Sequence, residues 1–206
     1  DETIIEKIKY LRTNNYFVEI STNAQNINKE IATALVKSGL NRIIISMDGI
    51  SQKTYEKYRI NGKINNVFEA INNLLESKKK SNKKNTKIII QYIVFKHNES
   101  EINQFKKMMK TKDVTIRIKN AQLEDDALDY LPNNKKYRRY KISNNKLKLK
   151  KSTPKPCYRL WKEIILLQNG KIAICCHDKN GELINETWHN KTIKQIWSSQ
   201  EFNALR

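Results

Sequence analysis

Arg42-Ile43-Ile44-Ile45-Ser46-Met47-Asp48-Gly49 is a run of isoleucines that ends abruptly in Ser, Asp and Gly. Bounded by turn residues and set between helical patterns, it reads as a strand buried on both faces of a parallel sheet. Ser51-Gln52-Lys53-Thr54-Tyr55-Glu56-Lys57-Tyr58-Arg59 follows, with a helix start at Ser51. Parallel α/β architectures gather ligands at the carboxyl ends of their strands. Ser46 and Asp48 are two residues apart at that end, so both point to one side of the sheet.

The flanks repeat the pattern. Residues 2–14 place Ile4, Ile5, Ile8 and Leu11 on one helical face, and residues 16–22 read as a strand with Asn23 in the turn after it. Ile31, Ala34 and Leu35 mark a helix over 28–38, with Gly39 as its stop. Beyond the isoleucine strand, Ile64, Val67, Phe68, Ile71, Leu74 and Leu75 form the clearest amphipathic helix. Thr86 to Phe95 is a long β-branched strand. Asn98 and Glu101 form a capping-box pattern before Ile102, Phe105, Met108 and Met109. Val114-Thr115-Ile116-Arg117-Ile118 closes the series. Strands alternating with helices of this length build βαβ units, hence a parallel sheet or barrel with all carboxyl ends on one rim. Residues 121–155 are polar and Lys-rich, a connecting region that is partly helical.

The chain has 206 residues and a formal net charge of +19, from 40 Lys+Arg against 21 Asp+Glu. That balance suits an anionic partner such as nucleic acid. Tracts such as Lys78-Lys79-Lys80-Ser81-Asn82-Lys83-Lys84-Asn85 read better as a solvated surface, so nucleic acid is not the expected partner. No segment reaches the ~18 uninterrupted apolar residues of a bilayer span, so no membrane partner is expected.

The three cysteines, Cys157, Cys175 and Cys176, all lie near the end. An odd count without a secretion signal argues for a reducing cytoplasm rather than a disulfide framework. Leu160 to Gln168 and Lys171 to Cys176 flank Asn169-Gly170, a strong hairpin signal. A two-residue loop there sets Gln168 opposite Lys171 and Cys175 opposite Ile164. Cys157 and Cys175 then lie near the hairpin's open end, while Cys176 points to the other face. Two or three thiolates are too few for a closed metal site, so the plainer reading of the residues by themselves is two buried free cysteines and one on the surface, with ligation as the alternative. Residues 191–205 form a closing helix with Ile193, Ile196, Trp197, Phe202 and Leu205.

These words resemble the C-terminal part of a radical S-adenosylmethionine (SAM) enzyme with a SPASM-type extension. Twelve residues separate Cys157 from Gly170 and four separate Gly170 from Cys175, which follows the SPASM pattern. Cys157-Tyr158-Arg159-Leu160-Trp161, Asn169-Gly170-Lys171 and Ile193-Lys194-Gln195-Ile196-Trp197 match in kind. Ser21-Thr22-Asn23, Ile45-Ser46-Met47-Asp48-Gly49, Thr54-Tyr55-Glu56-Lys57-Tyr58-Arg59 and His97-Asn98-Glu99 resemble the family's third to fifth barrel strands and their sequels. The departures are an absent CxxxCxxC motif, an absent Gly-Gly-Glu segment, Ala24 where the family has Gly, and Leu183-Ile184-Asn185 where Gly-Asn is usual.

The resemblance implies a partial (β/α)6 barrel over 1–152, holding strands three to six, and an incomplete iron–sulfur domain over 153–206 built from a hairpin and a helix. It implies a fragment of a longer oxidoreductase-type enzyme that cleaves SAM to a 5′-deoxyadenosyl radical and abstracts hydrogen from a peptide, protein or small-molecule substrate. Such chemistry takes an electron donor such as flavodoxin or ferredoxin. This chain without a SAM-cleaving cluster is expected to be inactive. Ser46, Asp48, Asn23, Arg59 and Gln91 would line the SAM rim, with Arg59 reaching the SAM carboxylate. Cys157 and Cys175 would supply two thiolates to an auxiliary [4Fe–4S] cluster, with His177 and Asp178 beside them. The plainer readings are turn capping for Ser46 and Asp48, a surface cation for Arg59 and a satisfied core hydrogen bond for Gln91. A non-catalytic remnant, or a basic nucleic-acid-binding α/β domain, is the alternative for the whole chain.

Overall fold

A computed structural model describes residues 3–81, 85–150, 157–175 and 177–206. The end of the lysine tract at 82–84, Pro154, Pro156 and Cys176 with its expected facing lie outside them. The chain divides into two compact units, Asp1–Lys150 and Lys151–Arg206.

In the first unit α1 (Ile4–Thr13), β1 (Glu19–Thr22), α2 (Lys29–Lys37), β2 (Arg42–Ser46), α3 (Gln52–Tyr55), α4 (Ile64–Lys80), β3 (Lys87–Val94), α5 (Ile102–Lys110) and β4 (Thr115–Asn120) follow one another. The four strands form a parallel sheet in the order β1-β2-β3-β4. A four-stranded parallel sheet with alternating helices agrees with the partial barrel that the resemblance implies. Ile43, Ile45 and Met47 of the β2 segment and Ile88, Ile90, Tyr92 and Val94 of β3 join the core that the helices cover. Burying each such side chain contributes roughly 1.5–3 kcal/mol. A slip of one residue would turn this whole set to the opposite face, so the isoleucine run is held in one register.

Local packing moved several expected boundaries. The strand expected over 16–22 begins only at Glu19, and Tyr16 and Phe17 are exposed. Arg12 donates to the carbonyls of Gly39 and Tyr16 at 2.9 and 2.6 Å, which holds the preceding segment off the sheet. On α2, capped by Asn28, the buried residues are Ala32, Leu35 and Val36, while Ile31 is exposed. The face was rotated by packing against α4, where Thr33 and Ser77 share a 3.2 Å hydrogen bond. Helix α4 runs on through Lys78, Lys79 and Lys80. Cations favour a helix carboxyl end. Lys78 is buried and pairs with Asp113 at 2.9 Å, so this lysine is not simply solvated.

The connecting region contains an antiparallel hairpin, β5 (Tyr140–Ser143) and β6 (Lys146–Leu149), after 3-10 turns over Asp125–Tyr130 and Lys135–Tyr137. Asn144 and Asn145 both have positive φ, the requirement of a type I′ turn. Asn-Asn between alternating residues was the available signal.

In the second unit, β7 (Ile165–Leu166) and β8 (Ile172–Ala173) form a short hairpin. Its register sets Ile165 opposite Ala173, and Leu167 donates its N–H to Lys171. The loop therefore spans Gln168, Asn169 and Gly170, not Asn169-Gly170 by themselves. Gly170 takes φ +86°, as in a three-residue loop with a left-handed residue, and a Cβ there would meet the His189 ring at 2.3 Å. The register is one residue from the expected one, so Cys175 is not opposite Ile164. The closing helix is two: α6 (Ile193–Trp197), opened by a Thr192/Gln195 capping box, and α7 (Gln200–Ala204), capped by Ser199. Ile172, Ile174, Ile184, Ile196 and Phe202 form this unit's core. No helix among the described residues is long and apolar enough to cross a membrane.

Candidate functional site

The carboxyl end of β2 is pinned by a buried network centred on Asp48, which has no exposed surface. Asp48 Oδ1 accepts from the Ile93 amide at 2.6 Å. Oδ2 accepts from Arg59 Nε at 2.7 Å and lies 2.6 Å from Nη2. Burial raises the Asp48 carboxyl above the ordinary carboxylate value, while Arg59 and the Ile93 amide pull it down. With both oxygens engaged and no surface, Asp48 positions Arg59 and the end of β3. Direct contact with a ligand, one of its expected roles, does not suit that burial. The Arg59 side chain is 26% exposed and lies beside the Tyr58 ring, so one edge of the guanidinium is held while the group still reaches the surface.

Asn98 completes the network from the far side. It is fully buried. Its Nδ2 donates to the carbonyls of Asp48 and Ile93 at 3.0 and 2.9 Å, and its Oδ1 accepts from the Phe95 amide at 2.8 Å. The Tyr92 hydroxyl donates to the Asn98 carbonyl at 2.9 Å. The expected capping box is therefore not formed: Asn98 makes no side-chain cap bond. Glu101 instead accepts from Ile50 N and Ser51 Oγ at 2.8 and 2.9 Å, holding the loop after β2. A carboxamide offers donors and acceptor together, which suits joining two strand ends better than capping. Ser51 does cap α3, accepting from Thr54 N.

Gly49 lets this loop close. A Cβ there would meet Tyr55 N at 2.7 Å and Tyr55 Cα at 2.8 Å, both backbone atoms that cannot swing aside. Gly49→Ala is expected to cost about 1–3 kcal/mol, the usual penalty of overpacking, read as a lower urea midpoint with an unchanged m-value.

The expected rim residues fall into two groups. Asn23 and Arg59 line one cleft of about 340 Å³, with Tyr55, Tyr58 and Asn61 among its walls. Ser46 and Gln91 are cross-strand partners on the sheet, and Gln91 is paired in turn with Arg117 of β4. Since Ile45 and Ile90 belong to the helix-covered core, the Ser46, Gln91 and Arg117 side chains share the opposite face. All three are half-buried. Beneath them on that face, Ile44 and Ile89 are paired and buried. A hydroxyl, a carboxamide and a guanidinium thus stand in one row above an apolar floor. Arg117 was not among the expected residues. Its signal was the period-two pattern Thr115-Ile116-Arg117-Ile118, which sets it on the face away from the core.

Ala24, where the resembled family has Gly, is fully buried and takes φ +57°. Left-handed backbone costs a residue with Cβ roughly 1–2 kcal/mol. Thr22 Oγ1 accepts from its amide at 3.0 Å and helps hold the turn that presents Asn23. At the end of β3, His97 lies 5.4 Å from Phe95 in a near-parallel stack and edge-on to Tyr130. Burial, with help from Lys57, lowers its pKa, so the imidazole is neutral at pH 7. Its Nε2 is buried with no hydrogen-bond partner among the described residues.

In the second unit Cys157 is exposed and Cys175 is half-buried against the Ile172 and Phe202 core. Asp178 accepts from the amides of Glu182 and Ile174 at 2.9 and 3.3 Å, and its own amide donates to the Cys175 carbonyl. Its side chain thus fixes the turn that carries Cys175. No group of three or more His, Cys, Asp or Glu among the described residues can hold a metal ion. A [4Fe–4S] cluster takes four ligands, usually all thiolates. Cys157 and Cys175 offer two, and the described residues do not assemble the rest.

Two family models match the chain. That of the radical SAM superfamily covers residues 1–109, and that of an iron–sulfur cluster-binding domain, SPASM, covers residues 157–206. The first spans Asn23, Ser46, Asp48, Arg59 and Gln91; the second begins at Cys157 and includes Cys175. No curated protein matches the chain.

Proposed function

This chain belongs to the radical SAM superfamily, and from that premise we propose that its sheet forms the SAM-holding rim of a SPASM-bearing oxidoreductase-type enzyme acting on a peptide or protein. The single observation behind the reading is the row Ser46, Gln91 and Arg117, in register across three parallel strands and led by Ser46 at the carboxyl end of β2. Ligands of such sheets gather there. Gln91 offers a donor and an acceptor to ribose or methionyl groups, and Ser46 adds a hydroxyl. Arg117 and the Asp48-braced Arg59 each offer a guanidinium suited to a carboxylate. Asn23 lines the same cleft as Arg59.

Held at this rim by Ser46, Gln91, Arg117 and Arg59, SAM would supply radical hydrogen-abstraction chemistry on one-electron reduction of its sulfonium. The residues of this chain hold the molecule, orient it and keep its polar groups paired. A donor of the flavodoxin or ferredoxin class is the partner such chemistry takes. Cys157 and Cys175 would supply two thiolates to an iron–sulfur cluster, whose remaining ligands would come from beyond the described residues.

Equilibrium dialysis of labelled SAM against the anaerobically purified chain tests the rim without requiring turnover. Saturable binding of one SAM per chain is expected. Gln91→Ala and Arg117→Ala are each expected to weaken it about tenfold, since one charged or well-placed hydrogen bond is worth about 1.5 kcal/mol. No saturable binding, or binding indifferent to both substitutions, would overturn the reading.

A further inference from the structure

The hairpin of β5 and β6 has a charge distribution that nothing in its own sequence balances. Residues 135–150 contain eight Lys or Arg and no Asp or Glu. The ladder sets Lys141 directly opposite Lys148 and Ser143 opposite Lys146. Lys150 donates its amide to the Arg139 carbonyl at 3.1 Å, which extends the ladder by one more pair. Successive pairs alternate between faces. Arg139, Lys141, Lys146, Lys148 and Lys150 therefore crowd one face of a two-stranded ribbon. Like charges directly opposite each other destabilise a strand pair. None of the five makes an ion pair among the described residues; Lys150 Nζ is bound to the Lys135 carbonyl.

The other face of the hairpin is apolar. It carries Tyr140, Ile142, Leu147 and Leu149, and Ile142 is 52% exposed. The outer edge of β5 has no strand partner, because among the described residues β5 pairs only with β6. In an antiparallel ladder, pairs that exchange hydrogen bonds alternate with pairs that do not. Arg139/Lys150 is a bonded pair, so Ile142 falls in a non-bonded one. Its N–H and C=O point outward and find no partner among the described residues.

We propose that β5 is a docking edge for an extended peptide in which acidic and apolar residues alternate. Added as a third strand, such a peptide gains main-chain hydrogen bonds at Ile142. Its carboxylates lie beside Arg139 and Lys141 and relieve the cation face, and its apolar side chains lie beside Ile142 and cover the opposite one. The two faces of the hairpin demand this alternation; charge by itself would take any polyanion. The proposal does not depend on SAM binding.

Fluorescence anisotropy with labelled peptides tests it on the whole chain. The probes are a peptide alternating glutamate and valine, a block isomer of the same composition, the alternating peptide with every backbone nitrogen methylated, and a single-stranded RNA of equal charge. The alternating peptide is expected to bind at least about tenfold more tightly than its block isomer and its methylated form, with affinity falling as salt rises. Lys141→Glu is expected to lose at least about tenfold in affinity. That variant replaces a like-charge pair by an opposite-charge one, so its thermal midpoint does not fall, and lost binding cannot be ascribed to a lost hairpin. Equal binding of the block or methylated peptide would overturn the proposal. Tighter binding of the RNA would also overturn it, assigning the face to nucleic acid.

Discussion

Arg59→Met is expected to remove about 3–5 kcal/mol of stability in urea titrations at pH 7, because it leaves a fully buried carboxylate without its counter-charge. Arg59 makes two close approaches to Asp48 Oδ2, and the loss is a large share of the 5–15 kcal/mol typical of a domain. The pH dependence gives the test its sign. In the native chain burial already lifts Asp48 above its ordinary 3.8, with Arg59 opposing. Without Arg59 the folded value rises further. Between 3.8 and that raised value the folded state binds the proton that the unfolded state has released. Stability therefore falls as pH rises through the window, and the variant regains stability on acidification toward its lower end. Asp48→Asn in the same chain removes the charge while keeping an acceptor for the Ile93 amide, so the double variant is expected to be more stable than Arg59→Met. A single variant within about 0.5 kcal/mol of the native chain, the range of ordinary surface changes, would show that Asp48 is not held as described.

Asn98→Ala is expected to cost about 3 kcal/mol. It strands the Phe95 amide and the Asp48 carbonyl in a buried site and the Ile93 carbonyl in a half-buried one. Each unsatisfied buried group costs about 1–3 kcal/mol, less where a neighbour or water takes over. Asn98→Asp keeps the acceptor for Phe95 but loses both donors and turns a carboxylate toward two carbonyls, so it is expected to be the worse variant. Hydrogen exchange at the Phe95 amide separates a local effect from a global one. In Asn98→Ala that amide should exchange faster by at least the factor the global stability change predicts. Unchanged protection would mean that the strand ends are joined without Asn98. Because the same network braces Arg59 and the end of β3, both variants are also expected to weaken SAM binding at the rim.

The order of helices and strands was written in the chain itself. Isoleucine runs, period-3.6 faces and turn residues are local patterns, and a parallel sheet follows from their alternation. The row on the face away from the helix-covered core was half legible. Ser46 and Gln91 broke apolar strands visibly, whereas Arg117 gained its meaning only from a register that sets it beside Gln91. The hairpin at Asn169-Gly170 was legible as a hairpin, but its loop length was not. A three-residue loop shifts the register by one and changes what Cys175 faces, and hydrogen bonds such as Leu167 N to the Lys171 carbonyl decide between the two. Asn98 and Glu101 had the spacing of a capping box. Spacing reports what two side chains can reach within one element; Asp48, Ile50 and Ser51 lie far back in the sequence and offered partners that no local pattern contains.

Sequence by itself determined that this chain builds a parallel α/β sheet with polar groups at its carboxyl rim, followed by a small cysteine-bearing unit, because periodicity and turn chemistry are properties of neighbours in the chain. Only the tertiary structure decided that Asp48 is a buried brace rather than an open rim carboxylate, that Arg59 is held by it, and that five cations of the connecting hairpin share one face. Burial, charge pairing and strand register are set by residues distant in sequence, and those are the quantities that distinguish a residue that touches a ligand from one that positions it.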